Sequence, residues 1–186
     1  MEIQFLNGHD KLIEKLAKGD RKAQMELYKM YYKAMFNTSL RILNNSFEAE
    51  DIMQEAFLTA FTRINEYQGK VSFGAWLKKI VINKSLDELK KKKPFFEDVE
   101  KIPQFSTEEP ENLEENVSYK IEMIKAAIKN LADGYRIILS LYLLEGYDHE
   151  EIGEILSISP STSRSQFTRA KRKLKEELSL MPIFNN

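Results

Sequence analysis

The sequence predicts an all-α protein made of two small helical domains joined by a flexible linker. Only 7 of the 186 residues are glycine and 5 are proline, while 31% are charged, a composition in which helix-forming residues dominate. Three of the prolines fall within residues 94–118, where apolar residues follow neither the strand nor the helix period. We therefore assign residues 1–93 and 119–186 to the two domains and residues 94–118 to the linker.

Four helices are predicted in the first domain, because apolar residues recur there at intervals of three and four. They are expected near residues 10–18, from 21 to 43, from 47 to 64 and from 73 to about 92. Asn44 and Asn45 end the second helix, and Ser46 can cap the third. A loop at residues 65–72 precedes the fourth. Such helices can bury their apolar stripes against one another as a small bundle.

Several agreeing signals mark helix ends in the second domain. Helices are expected near residues 117–130 and 134–145. Gly146 can end the second of these. Asp148 and Glu151 then have the spacing of a capping box, with Tyr147 and Ile152 placed around it as a hydrophobic staple. A new helix is therefore predicted to begin after Asp148.

A helix-turn-helix follows from the next residues. Residues 157–159 interrupt the new helix, and Ser159 can cap another that starts at Pro160, since proline is favoured at the first helical position. Two helices joined by a short turn, the second rich in Arg and Lys, are typical of this motif. At about 100° per residue, the inward face of the last helix carries Ser163, Phe167, Ala170, Leu174 and Leu178. The outward side carries Ser161, Thr162, Arg164, Ser165, Gln166, Arg169, Arg172 and Lys173.

The outward side of this helix has the chemistry of DNA recognition. Small hydroxyls near its start permit close approach to DNA, Gln166 and Arg169 can bond base edges, and the lysines can meet phosphates. The alternative is a solvated basic face that closes a helical protein. Capping box, turn, Pro160 and basic face together favour DNA binding.

Net charge alone hides this basic surface, because the total is only −1. Residues 1–93 hold 17 basic and 12 acidic residues, residues 94–118 hold one and eight, and residues 119–186 hold ten and nine. Residues 164–175 contain six basic residues and no acidic one. Local basic patches of this kind are what a phosphate backbone responds to.

Two further helices carry residues that have either a structural or a functional interpretation. In the fourth helix, aromatic residues such as Phe73 and Trp76 more often belong to the core. Proteins also hold unpaired bases, however, by stacking them on aromatic rings beside a lysine-rich surface. In the third helix, Asp51, Gln54 and Glu55 line a polar side that is ordinarily solvated but would suit a basic protein partner.

The residue inventory argues against several other classes. Cysteine is absent, which excludes disulfides and thiolate sites. His9 and His149 have no metal-ligand spacing, His149 is most simply a surface residue, and no glycine loop could cradle a phosphate. We expect no enzyme activity, cofactor or metal. No apolar run approaches a membrane span and residues 1–20 lack the order of a signal peptide, so a cytoplasmic protein is expected.

The ordered motifs resemble the extracytoplasmic-function (ECF) sigma factors of bacterial RNA polymerase. "AEDIMQEAFLTAF" (residues 49–61) resembles the helix of that family that binds core polymerase. "FGAWLKKIVINKSLDELKKKK" (73–93) is similar to its promoter-melting and −10-reading helix. "LADGYRIILSLYLLEGYDHEEIGEILSISPSTSRSQFTRAKRKLKEEL" (131–178) resembles sigma region 4, which binds the −35 element.

The resemblance implies partners and site residues. The partners are promoter DNA, the β′ clamp helices and β flap of core polymerase, and an anti-sigma factor. It implies core binding by Asp51, Gln54, Glu55 and Leu58. It implies −10 binding and melting by Tyr67, Gln68, Phe73, Trp76, Lys79, Asn83 and Lys84. It implies −35 binding by the outward residues of the last helix given above.

Two positions depart from the family pattern. Gly153 stands where the family usually has alanine, which weakens the helix by up to about 1 kcal/mol but permits a close helix contact. Gln166 occupies a position often held by arginine. The competing functions are a stand-alone helix-turn-helix repressor and a helical adaptor. The motif at residues 49–61 disfavours the repressor, and the basic face disfavours the adaptor.

Overall fold

The structure is a computed structural model that describes residues 2–92 and 116–180, and all regular structure in these ranges is helical. The all-α prediction is therefore confirmed. The chain divides into two compact units between Lys92 and Lys93. Each unit has a hydrophobic core of its own.

Four helices form the first unit. They are α1 (Glu2–Ala17), α2 (Arg21–Leu43), α3 (Ser46–Thr62) and α4 (Phe73–Lys92), with a short 3-10 turn at Ile64–Glu66. The first helix begins well before the predicted residue 10. The other three match the predicted helices closely.

The ends of α2 and α3 show which residues act as caps. The Asp20 carboxylate accepts hydrogen bonds from the backbone N–H groups of Lys22 (2.7 Å) and Ala23 (3.3 Å), and these bonds lower the pKa of Asp20. Asn45, and not the predicted Ser46, caps α3. Asn44 takes a left-handed conformation (φ 56°) that ends α2, and this leaves Asn45 extended with its side chain aimed at the first turn of α3.

The core of the first unit lies between α2, α3 and α4. Its fully buried large side chains include Leu27, Met35, Ile42, Phe73, Leu77, Ile82 and Leu86. Ser39 of α2 and Ser85 of α4 are buried in the same interior with their hydroxyl oxygens 3.0 Å apart. Ser85 also donates to the Val81 carbonyl at 2.8 Å, so this buried polar pair is satisfied.

The second unit contains the remaining helices. They are α5 (Asn116–Asn130), α6 (Asp133–Leu139), a π-helical turn at Ser140–Leu144, α7 (His149–Leu156) and α8 (Pro160–Ser179). The helix predicted at 134–145 is thus α6 extended by a wider turn. Residues 116–118, assigned to the linker, are helical, and the rest of the predicted linker up to residue 115 lies outside the described residues.

A buried arginine supports the core of the second unit. Arg136 is only 3% exposed, beside the buried residues Ile137 and Ile138 of α6. Its guanidinium donates to an Asp133 carboxylate oxygen at 2.8 Å and to the Leu131 carbonyl at 3.3 Å. Removing one partner of such a pair leaves a buried charge, so Arg136 is structural and is not available to DNA.

Candidate functional site

The helix-turn-helix begins with the predicted capping box. The Asp148 carboxylate accepts hydrogen bonds from the backbone N–H groups of Glu150 and Glu151, both at 2.8 Å. In return, the Glu151 carboxylate accepts one from the Asp148 N–H at 2.9 Å. These reciprocal bonds fix the start of α7.

The turn between α7 and α8 depends on Gly153 and Ser157. Ser157 adopts a left-handed conformation (φ 58°), and the Ile158 N–H donates to the Gly153 carbonyl at 2.9 Å. A Cβ atom on Gly153 would lie 2.8 Å from the Ile158 carbonyl oxygen, closer than van der Waals contact allows. The sequence suggested that Gly153 permits a close contact. In the structure that contact is with the backbone of the turn before α8.

The start of α8 is capped as predicted. The Ser159 hydroxyl accepts a hydrogen bond from the Thr162 N–H at 3.1 Å, and Pro160 is the first helical residue. The same hydroxyl lies 2.8 Å from the hydroxyls of Ser161 and Thr162. A small cluster of hydroxyl groups therefore stands at the amino-terminal end of α8, where backbone N–H groups favour an anion.

The two sides of α8 separate as the helical projection predicts. Ser163, Phe167 and Ala170 are buried against the rest of the unit. Exposed on the other side are Ser161, Thr162, Arg164, Ser165, Arg169 and Arg172, while Gln166 and Lys173 are half-buried. Arg172 and Lys173 both lie near the Glu176 carboxylate, at 3.6 and 3.2 Å. The basic face of α8, defined by these eight predicted residues, is thus open to a ligand.

His149 is not a simple surface residue, contrary to the prediction. Its Nδ1 lies 2.9 Å from the hydroxyl oxygen of the buried Ser163. Its ring stacks on Tyr142 at 4.7 Å and meets Phe167 edge-on at 5.4 Å. His149 therefore joins the first turn of α7 to the inward side of α8. Sequence spacing could not reveal this, because the contacts come from two other elements, the π-helical turn and α8.

The loop between α3 and α4 is held by Tyr67. Its hydroxyl donates to the Val71 carbonyl at 2.6 Å, and its ring packs 5.4 Å from Trp76. Burial raises the pKa of Tyr67, which is consistent with a protonated phenol that donates this hydrogen bond. Gln68, beside it, is exposed.

Among the residues assigned to −10 DNA, Phe73 needs a correction. It is 1% exposed and packs in the core against Tyr67, so its ring has no free face for a base. Trp76 is half-buried, while Lys79 and Asn83 are exposed along α4. Lys84 is half-buried and lies 3.3 Å from the Glu55 carboxylate of α3.

The four residues assigned to core binding share the exposed side of α3. Asp51, Gln54, Glu55 and Leu58 are all exposed, whereas Met53, Ala56 and Phe57 point inward. The Gln54 side-chain amide donates to the Glu50 carboxylate at 3.4 Å. The contact between Glu55 and Lys84 brings the acidic side of α3 next to α4.

Within residues 2–92 and 116–180, acidic and histidine side chains form no group of three that could hold a metal ion. In the same ranges, every helix is either too short or too polar to cross a membrane.

Comparison with known proteins finds two domain families in the chain. Sigma-70 region 2 matches residues 27–95, and Sigma-70, region 4 matches residues 121–174. The ECF RNA polymerase sigma factor SigW of Bacillus subtilis is 31% identical over 178 residues, which cover 90% of this chain and 95% of SigW.

Two solved structures share the fold. CnrH, in complex with the cytosolic domain of CnrY, is 18% identical, with a TM-score of 0.58 over 93% of this chain and 98% of CnrH. The sigma factor RpoE of Bartonella quintana, in complex with the anti-sigma factor NepR, is 19% identical, with a TM-score of 0.57 over 84% of this chain and 97% of RpoE.

Two sigma-70 domains in this order define a sigma factor of bacterial RNA polymerase. Together with the match to SigW over nearly all of both sequences, they show that the chain belongs to the ECF sigma factor family.

Proposed function

We propose that this chain is a dissociable initiation factor that binds core RNA polymerase and directs it to specific promoters. In this proposal, α8 reads the −35 duplex, the loop at residues 65–72 and α4 capture −10 bases, and the exposed side of α3 binds the β′ clamp helices. The observation that carries it is that one sigma-family chain presents all three surfaces to solvent.

The basic face of α8 supports duplex binding. The first helix of the motif is fixed by its capping box and the second by Ser159, so the exposed side chains stand on a rigid frame. Ser161 and Thr162 permit close approach of the helix end, and Arg169 is long enough to reach a base edge in the major groove.

The surface around Tyr67 supports capture of unpaired bases. Neither domain has a nucleotide-binding glycine loop, so strand opening must draw on binding energy. A base that leaves the stack costs about a few kcal/mol, which binding must recover. We assign Gln68, Asn83 and Lys79 to the strand, Tyr67 and Trp76 to the wall of the base site, and Phe73 to the core beneath it.

The acidic side of α3 supports binding to a basic protein surface. Asp51 and Glu55 lie one turn apart and are exposed. An interface built on them is steered by charge and weakens as salt screens it. We propose contact with the β flap for the second unit, on the strength of the family resemblance.

An anti-sigma factor is the further partner that we propose. RpoE of Bartonella quintana was solved with its anti-sigma factor NepR. A chain that redirects polymerase needs control of its free concentration, and a protein that covers α3 would supply it.

Charge reversal on α3 tests the proposed core binding. The Asp51→Lys, Glu55→Lys variant should no longer co-purify with core polymerase, because the two new lysines would repel a basic partner. The single variant Asp51→Lys should also weaken binding, and it keeps the contact between Glu55 and Lys84. Circular dichroism should show unchanged helicity.

The matched control is Glu14→Lys, Glu26→Lys, which makes the same charge change at exposed positions of α1 and α2. It should bind core normally. Unaltered core binding by the α3 variant would refute the assignment of this surface.

A further inference from the structure

One strongly exposed aromatic side chain on α3, that of Phe47, is not among the residues assigned to a site so far. Phe47 is 82% exposed, and Leu58, three turns further along, is 66% exposed. Single exposed apolar residues are common on protein surfaces. These two are different because they lie on one side of a well-packed helix together with predicted partner contacts.

Helical geometry aligns Phe47 with the predicted core-binding residues. Positions 47, 51, 54 and 58 fall within about 40° of one direction at 100° per residue. The rise of 1.5 Å per residue separates Phe47 from Leu58 by roughly 16 Å. Two apolar side chains therefore stand at the ends of a stripe whose centre, at Asp51 and Gln54, is polar and acidic.

The backbone that carries Phe47 is fixed before any partner arrives. The Phe47 N–H donates to the Asn45 side chain at 3.0 Å, and the Asn45 amide donates to Glu48 at 3.1 Å. The preceding Asn44 N–H closes α2 by donating to the Leu40 carbonyl at 2.9 Å. A contact made from such a frame costs little backbone ordering on binding.

We propose that Phe47 is an anchoring residue of the polymerase-binding surface and extends that surface by one turn beyond Asp51. This rests on the proposed function, which supplies the partner: core RNA polymerase. The partner surface must offer an apolar pocket at each end and basic side chains between them, since it faces Asp51 and Glu55. Aromatic residues in desolvated pockets dominate the binding energy of many interfaces.

The experiment measures the affinity of the full-length chain for core polymerase of the same bacterium by fluorescence anisotropy. Phe47→Ala should raise Kd about tenfold or more, and Phe47→Leu should raise it less, because leucine retains apolar contact. Met25→Ala is the matched control, since Met25 is 54% exposed and lies on α2, a different helix from the one that carries the stripe. It should leave Kd within about twofold of wild type, well short of the tenfold change expected of an anchoring residue. Thermal unfolding of all three variants should match wild type, because these side chains are exposed.

The outcomes separate this inference from the proposed function. If Asp51→Lys loses binding while Phe47→Ala binds like wild type, the anchoring role is wrong and the core-binding surface stands. If neither substitution changes binding, core binding lies on another surface and both the α3 assignment and the anchoring role are wrong. If the wild-type chain itself does not bind core polymerase, the proposed function fails. If Phe47→Ala alters the mass of the free chain in sedimentation equilibrium, the ring covers a contact between copies, and the inference is overturned.

Discussion

Arg169 and Lys173 lie one turn apart on α8, but substituting each of them should affect DNA binding in a different way. Arg169 is exposed on the outward side, where a guanidinium can bond two acceptors of one base. Lys173 is half-buried beside Glu176, 3.2 Å away, and we propose that it meets a phosphate. Only the first contact depends on which base is present.

We expect Arg169→Ala to relax sequence preference at one −35 position at a cost of about 1 to 3 kcal/mol. Lys173→Ala should weaken all duplexes alike and flatten the dependence on salt. Holoenzyme binding to a selected promoter and its single-base variants, at several salt concentrations, measures both effects. Equal losses on every sequence for both variants would argue against base reading by Arg169.

The contact between His149 and Ser163 provides a test of stability at the same scale. Replacing His149 with phenylalanine keeps a ring between Tyr142 and Phe167 but leaves the buried Ser163 hydroxyl without that partner. The free energy of unfolding should fall by about 1 to 3 kcal/mol. Adding Ser163→Ala should recover much of the loss, because no polar group is then left unpaired. Urea unfolding of the single and double variants measures this; additive losses would mean that the hydrogen bond is unimportant.

At the scale of helices, local signals were sufficient to predict most boundaries. Asp148, Glu151, Ser159 and Pro160 each act through bonds or restraints within three residues, so their roles can be read from the sequence. The choice of Asn45 over Ser46 as a cap was missed, because both residue types cap well. The left-handed conformation of Asn44 decides between them.

Contacts between helices were harder to predict. The contact of His149 with Ser163 and the contact of Glu55 with Lys84 each join residues far apart in the sequence. Helical periodicity shows which side of a helix is apolar but not which neighbour covers it. Trp76 fits neither the core nor the base-stacking interpretation alone. It packs on Tyr67, as a core residue does, and it remains half-exposed, as a base-stacking residue must.

The loop before α4 and the exposed side of α4 act together in the proposed melting step. Gln68 and Asn83 are exposed and can be replaced without disturbing the core. Gln68→Ala, Asn83→Ala should leave core binding and −35 affinity intact but suppress opening detected by permanganate. Tyr67→Phe keeps the ring on Trp76 and removes only the bond to the Val71 carbonyl, so it separates loop support from base contact.

A template with a pre-melted −10 bubble should partly restore transcription by the Gln68→Ala, Asn83→Ala variant, since the cost of opening is removed. Normal opening of closed DNA by that variant would contradict the −10 assignment. Failure that no bubble can rescue would point to misfolding of the first unit.

Over the whole chain, the proposed function requires two units with different chemistry. The first has the acidic side of α3 and the cationic side of α4, and the second has the basic face of α8. A stand-alone repressor would need only the second. The composition of residues 94–118 led us to expect two domains, and the chain forms two compact units, each with its own buried core.

Transcription in vitro from pooled genomic fragments, with the 5′ ends of the transcripts sequenced, tests whether this chain selects promoters for core polymerase. Core polymerase and this chain together should produce start sites that share two upstream sequence blocks, near −35 and −10, and neither protein alone should produce them. Start sites unchanged by adding the chain, or specific binding of the same fragments by the chain without core, would show that the chain is not an initiation factor.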